Sequence, residues 1–265
     1  MHAQDWKNNV HFVLVEPRES GNVGASARAI KNMGFRKLSL VCPPDPLGEE
    51  ARWFARGALD VLDSAERHMT LDSALINVSI VAGTTRRTGR KRGLLVSAEE
   101  GARRLYEIAQ HNSVALLFGR EDRGLFNEEI DQCGFLIHIS AHLTQPSLNL
   151  GQAVLLVAYE LAKAARYVHT SAKDSSYRPA VLVSNQEMKA LYERMTNALR
   201  LLDYLPRGDR NLEKKIMHNL KHFIGRAGLT EWEINMLLGL CSRVETKFGE
   251  AFHCRKSEED DSTEQ

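Results

Sequence analysis

The chain is poor in the features that usually announce a chemistry. Its four cysteines (Cys42, Cys133, Cys241 and Cys254) lie far apart with no Cys-x-x-Cys pair, which disfavours a zinc site and a disulfide framework and leaves core or surface thiols. No apolar run approaches a membrane span, the stretch from Ala153 to Tyr159 being among the longest, and the start, MHAQDWKNNVHF, has no apolar signal core behind basic residues. Both absences predict a cytoplasmic protein with no membrane partner. Nucleotide loops are missing too. Gly119 and Gly124 have the spacing of a phosphate-binding loop, but Leu125-Phe126 stands where that loop needs Lys and Ser/Thr. No Gly-x-Gly-x-x-Gly follows a strand candidate, so a metabolic α/β enzyme acting on small nucleotides has little support. His138 and His142 are four apart, but the first falls in a strand candidate and the second in a loop, so no metal is expected.

A one-signed charge excess is also absent, the formal net charge being +1, yet the charges are unevenly spread. Arg86, Arg87, Arg90, Lys91 and Arg92 form a basic run without an acid, and bases again outnumber acids between Arg207 and Arg226. An acidic end, Glu258 to Glu264, cancels them in the total, so near-neutrality does not exclude a nucleic-acid partner. The competing reading of each basic run is a solvated face.

What is present at 265 residues, 43% hydrophobic, is enough for a proper core. Val13–Val15, Leu38–Val41, Ser79–Ala82, Val114–Phe118 and Leu136–Ile139 read as buried strands. Between them lie helical patterns at Gly24–Met33, Glu49–Arg56, Asp72–Ile76, Ala98–Ala109 and Glu128–Cys133, and a long amphipathic helix follows over Leu148–Arg166. Alternation of this kind predicts an α/β fold, a parallel sheet with helices on both faces. The expected division is a main domain over 1–167, a linker over 168–184, a small helical domain over 185–250 and an acidic disordered tail over 251–265. Glu187–Leu202, Asn211–Ala227 and Glu231–Phe248 are the expected C-terminal helices, the last capped at Thr230.

The most informative stretch is LLFGREDRGL, Leu116 to Leu125, an apolar strand delivering Gly-Arg-Glu to the carboxyl edge of the sheet, where open α/β folds place ligands. Two other marked loops accompany it, Gly21-Asn22-Val23-Gly24-Ala25 through Arg28, and Pro146-Ser147-Leu148-Asn149-Leu150. Each alone has a local explanation, since Asn22 or Ser147 could simply cap a helix. In this order and at these separations they resemble the three motifs of the SPOUT superfamily of RNA methyltransferases, in its TrmH/TrmJ branch that methylates ribose 2'-hydroxyls. Gly83-Thr84-Thr85-Arg86-Arg87 supports the branch; Pro146 and Arg86 depart from the types common there.

The resemblance covers Val13 to Tyr167 and implies a deep trefoil knot, S-adenosylmethionine as cofactor and a homodimer formed through the long helix and the first motif. It places the cofactor against Thr84, Thr85, Arg86, Gly119, Ile139, Pro146, Ser147 and Leu148. It gives catalysis to Arg28, as an electrostatic positioner because a guanidinium stays protonated, with Asn22 fixing Arg28 or the ribose. A surface arginine paired with an acid is the plain alternative for Arg28. Glu121 and Asn149 are expected to brace the loops, Glu121 as an ion pair with Arg120 or as a substrate contact. Arg87, Arg90, Lys91, Arg92, Lys214 and Lys215 are the expected RNA-binding surface. Trp53 and Trp232 are read as core or interface residues. The implied activity is 2'-O-methylation of tRNA, at the pyrimidine at position 32 of the anticodon loop; the alternatives are another tRNA site, ribosomal RNA, or a non-catalytic RNA-binding protein.

Overall fold

A computed structural model of the protein describes residues 6–45, 47–87, 93–142, 147–171, 180–205 and 210–261. Seven strands, β1 (Val10–Val15), β2 (Lys37–Val41), β3 (Glu66–His68), β4 (Ile80–Thr85), β5 (Leu95–Ser97), β6 (Val114–Phe118) and β7 (Phe135–His138), form one sheet in the order β3-β2-β1-β6-β4-β7-β5. Every pairing is parallel. The strand sequences explain this arrangement. Strand residues alternate between faces, and here both faces are apolar: Phe12, Leu14, Leu116 and Phe118 enter one core, Val13, Val15, Ala115 and Leu117 the other.

The first core is roofed by α1 (Ser20–Asn32), α2 (Glu49–Phe54), α3 (Leu59–Asp63), α5 (Ala98–Ala109) and α7 (Leu150–Ser171). The second lies under α4 (Leu71–Leu75) and α6 (Asn127–Ile130). In α5, Ser97 caps by accepting from Glu100 N at 3.1 Å. Ala102, Leu105, Tyr106 and Ala109 are buried at helical spacing, while Arg103 and Arg104 pair outward with Glu99 and Glu100.

Three further helices, α8 (Asn185–Leu201), α9 (Arg210–Gly225) and α10 (Glu231–Asp261), follow. Val183, Met188, Leu191 and Ile234 make their small core. So small a core needs outside support. The support comes from the main sheet, at the amino-terminal ends of β4 and β6: Asn185 N donates to Val78 O at 2.7 Å, and Asn112 accepts from Leu182 N at 2.7 Å and donates to Ala180 O at 3.1 Å.

Several boundaries differ from expectation. β3, β5 and α3 are too short, at three to five residues, for a period to show in sequence. α7 runs on to Ser171, and residues 180–184, expected in the linker, are tied to both parts of the molecule. α10 continues to Asp261 through most of the expected disordered tail, a stretch with no Gly or Pro between Ala251 and Asp261 to break a helix. Residues 172–179 of the linker and 262–265 of the tail lie outside the described residues.

Candidate functional site

The carboxyl edge of the sheet is where the separately marked loops meet. A cavity of about 110 Å³ opens there over the ends of β4, β6 and β7. It is lined by Thr84, Thr85, Arg86, Gly119, Ile139, Ser147 and Leu148, the expected cofactor residues that lie within the described chain; Pro146 lies outside it. Thr84 Oγ1 donates to Leu117 O at 2.9 Å, tying β4 to β6, and Thr85 Oγ1 accepts from Arg87 N at 3.1 Å.

Two glycines make the cavity's floor possible. A Cβ on Gly119 would stand 2.2 Å from Gly124 C and 2.3 Å from Leu125 N, backbone atoms with no freedom to move aside. Gly124 sits at φ +70°, where a side chain is strained, and its N–H donates to Arg120 O at 2.8 Å to close the loop.

Beneath that loop Arg120 is 4% exposed. Its guanidinium donates to Glu16 at 2.8 Å through Nε and to both oxygens of Glu129 at 2.9 and 3.0 Å, and lies 3.9 Å from the centre of the Phe126 ring. Burial opposes its charge, but the two carboxylates outweigh burial and raise its pKa above the usual arginine range. The expected partnership of Glu121 with Arg120 is therefore corrected. Glu16 at the end of β1 and Glu129 in α6 hold the arginine, and Glu121 points elsewhere.

Glu121 faces α1, accepting from Arg18 N at 3.1 Å, Glu19 N at 3.3 Å and Asn22 Nδ2 at 2.9 Å. Burial pushes its carboxyl up, but these donors prevail and hold its pKa below the ordinary glutamate value. Asn22 Oδ1 in turn accepts from Asn149 Nδ2 at 2.7 Å, and Asn149 Oδ1 accepts from Gly151 N at 2.9 Å in the first turn of α7. One continuous set of hydrogen bonds thus joins all three marked loops. Asn22 lies inside α1 rather than capping it, and Asn149, not Ser147, serves the first turn of α7.

Arg28 is exposed on α1, does not line the cavity, and has no hydrogen bond or ion pair among the described residues, so the paired surface arginine is not what the structure shows. Arg86 and Arg87 stand exposed at the cavity's rim; Lys214 and Lys215 are exposed on α9, away from it. Arg90, Lys91 and Arg92 lie outside the described residues. Trp53 and Trp232 are 68% and 73% exposed, so neither is core in a single chain.

Sequence reasoning missed Glu16 and Glu129. Their only signal was an acid ending the first strand and another opening a helix. It also passed over the grouping of Asp131, His218 and His222, whose ligand atoms lie within 4.8 Å of one another. His138 ends β7 and His142 lies beyond it, with no cluster around either among the described residues.

The sequence matches the SpoU rRNA Methylase family over residues 9–159 and the C-terminal domain described as that of the tRNA methyltransferase TrmJ over residues 186–257. The tRNA (cytidine/uridine-2'-O-)-methyltransferase TrmJ of Sodalis glossinidius is 33% identical over 240 residues, 90% of this chain and 92% of that one. The tRNA (cytidine/uridine/adenosine-2'-O-)-methyltransferase TrmJ of Pseudomonas aeruginosa is 33% identical over 250 residues, 90% and 94% of the two chains. The crystal structure of TrmJ from Z. mobilis ZM4 superposes with a TM-score of 0.73 at 29% identity, covering 89% of this chain and 98% of that one.

Proposed function

We propose a function from the premise that the chain belongs to the SpoU rRNA methylase family: it is an S-adenosylmethionine-dependent methyltransferase of tRNA ribose 2'-hydroxyls. The observation that carries this reading is the cavity at the carboxyl edge of the sheet, built from the loops that mark the family in sequence. Its lining fits the cofactor: small, glycine and apolar residues stand beside backbone groups that can read an adenine and ribose, and charged side chains from Arg86 and Arg87 and from 120–123 complete the wall. S-adenosylmethionine, when bound, supplies an electrophilic methyl group.

The protein's share is alignment and relief of the hydroxyl proton. Gly119 and Gly124 let backbone approach the ligand, Ser147 and Leu148 close the opposite wall, and Glu121, Asn22 and Asn149 fix the loops relative to one another. Arg28, its side chain unpaired among the described residues, is available to hold the ribose or the adjacent phosphate as a fixed positive charge. Arg86 and Arg87 at the rim, with Arg90, Lys91, Arg92, Lys214 and Lys215, suit RNA phosphates. The target we propose within tRNA is the pyrimidine at position 32 of the anticodon loop.

We assign the active form to a homodimer in the cytoplasm, and to the region around α7 the trefoil knot of the family. Supporting the dimer, Leu155, Leu156 and Tyr159 of α7 are 38%, 41% and 51% exposed, an apolar face on a helix that packs against α1.

The test is incubation of the full chain with labelled S-adenosylmethionine and unmodified bulk tRNA, then nuclease digestion and mass spectrometry, beside Arg28→Ala. Appearance of 2'-O-methylcytidine or 2'-O-methyluridine in an anticodon-loop fragment, lost in Arg28→Ala at unchanged melting temperature, is expected. Cofactor binding with unmodified tRNA would sink the assignment.

A further inference from the structure

We infer that Asp131, His218 and His222 form a binding site for a divalent transition metal of the zinc class, which pins the C-terminal helices to the sheet domain. His218 and His222 are four apart on α9, so they share one face of the helix, with ring centres 4.3 Å apart. That is the spacing at which a helix offers two imidazoles to one ion. Asp131 comes from the other part of the molecule, the turn between α6 and β7, and its Oδ1 lies 2.7 Å from His218 Nδ1. One ligand atom from each residue lies within 4.8 Å of the others.

A plain ion pair accounts for His218 and Asp131, but it does not account for His222. That side chain is 4% exposed, and among the described residues neither ring nitrogen has a hydrogen-bond partner. Leaving a buried polar atom unpaired costs about 1–3 kcal/mol, and native structures rarely tolerate it without a reason. A metal ion removes one of these orphans by taking its lone pair. Bonds of about 2.0–2.2 Å from a tetrahedral centre set ligand atoms roughly 3.4 Å apart, so Asp131 and His218 would part slightly and His222 would turn inward.

The donors fix the class of ion. Two imidazole nitrogens and one carboxylate oxygen, with no thiolate, suit Zn²⁺, Co²⁺ or Ni²⁺ rather than Ca²⁺ or Mg²⁺. Three protein ligands leave a fourth position for water, and Asp131 borders a second cavity of about 70 Å³ between the two parts of the chain. The positive charge of Arg226, which bears on His222, opposes a cation, and the carboxylate of Asp131 offsets it. Because Asp131 and the histidines stand on different parts of the molecule, the ion's work is mechanical: it holds α9 against the turn before β7. The inference does not depend on the methyltransferase reading.

The test uses the full chain stripped with a chelator and titrated with Co²⁺ and Zn²⁺, reading stoichiometry by calorimetry, the visible absorption of tetrahedral Co²⁺, and melting temperature. One ion per chain is expected, with a Co²⁺ spectrum displaced by Zn²⁺ and a metal-dependent rise in melting temperature. Asp131→Asn and His218→Gln, near-isosteric changes at partly exposed positions, should weaken binding at least about tenfold and abolish the rise without altering the circular dichroism of the metal-free chain. Absence of stoichiometric binding overturns the inference. So does binding undiminished in both variants, which would place the ion elsewhere.

Discussion

Replacing Arg120 by alanine should be among the most damaging single changes to the cavity. The guanidinium is buried between Glu16, whose side chain is 50% exposed, and Glu129, which is 12% exposed. Removing it returns Glu16 to water at a cost of at most about 1 kcal/mol, the scale of an exposed ion pair. Glu129 fares worse, because Phe126 N, at 2.7 Å, is left as its remaining partner outside its own helix. Breaking a buried pair from one side costs about 3–5 kcal/mol, and the retained backbone bond favours the lower part of that range. Taking the cation away from the face of Phe126 adds about 0.5 kcal/mol. We therefore expect Arg120→Ala to cost about 3–4 kcal/mol, or roughly 6–16 °C in melting temperature for a domain of this size. Glu16→Gln should cost about 1 kcal/mol or less. The double change Arg120→Met with Glu129→Leu, which removes the stranded carboxylate, should recover most of the deficit. Urea denaturation of the unaltered protein, these three variants and Glu129→Gln measures all of this, and calorimetry with S-adenosylmethionine reports the loop's effect on the cavity. A destabilisation below about 1 kcal/mol for Arg120→Ala, or equal effects of Glu16→Gln and Glu129→Gln, would refute the reasoning.

Four further outcomes are expected. Gly119→Ala should remove detectable cofactor binding in calorimetry, because its Cβ meets backbone at 2.2 Å and the loop must open to admit it. Glu121 has a depressed folded pKa, so its contribution is present above about 4.5, the ordinary glutamate value, and disappears as pH falls through the folded one; Glu121→Gln should flatten that acid limb of the stability profile. His11 is lowered to about 4 by burial and by Lys37, against an opposing pull from Glu66, so stability should be full above pH 6.5 and fall by on the order of 3 kcal/mol towards pH 4; His11→Gln should abolish this slope in denaturant melts. Lys214→Glu with Lys215→Glu should weaken tRNA binding in filter assays and lower the salt slope by about 0.7–0.9 for each phosphate no longer neutralised, leaving S-adenosylmethionine affinity unchanged.

The parts legible in the sequence are those governed by local periodicity. Val114–Phe118 and Ala98–Ala109 fall on the residues expected, because an unbroken apolar run and a capped amphipathic pattern each carry their own boundaries. The edge strands Glu66–His68 and Leu95–Ser97 carry no such pattern; they exist because a neighbour offers a free edge. The cavity's composition was readable through the family's motifs, from Thr84 to Leu148. Its bracing was not. Arg120 finds Glu16 at a separation of 104 residues, and His218 on α9 finds Asp131 at the end of α6; no window of sequence contains either pair. Glu121 shows the resulting error, since adjacency to Arg120 suggested a pairing, whereas the turn after β6 sends Arg120 to Glu16 and Glu129 and Glu121 to α1.

The hydrogen bonds through Asn22 also impose an order of events on a chain leaving the ribosome. Glu121 is 99 residues from Asn22 and Asn149 is 127 away. Closing a loop of the larger size costs about 4 kcal/mol in chain entropy, more than one amide–amide hydrogen bond returns, so these bonds cannot initiate folding and must follow it. The last strand ends at His138, eleven residues before Asn149. A nascent chain therefore acquires its sheet first and its cofactor cavity only when α7 docks, so a truncated or stalled product ending before Asn149 carries all seven strands and no finished site.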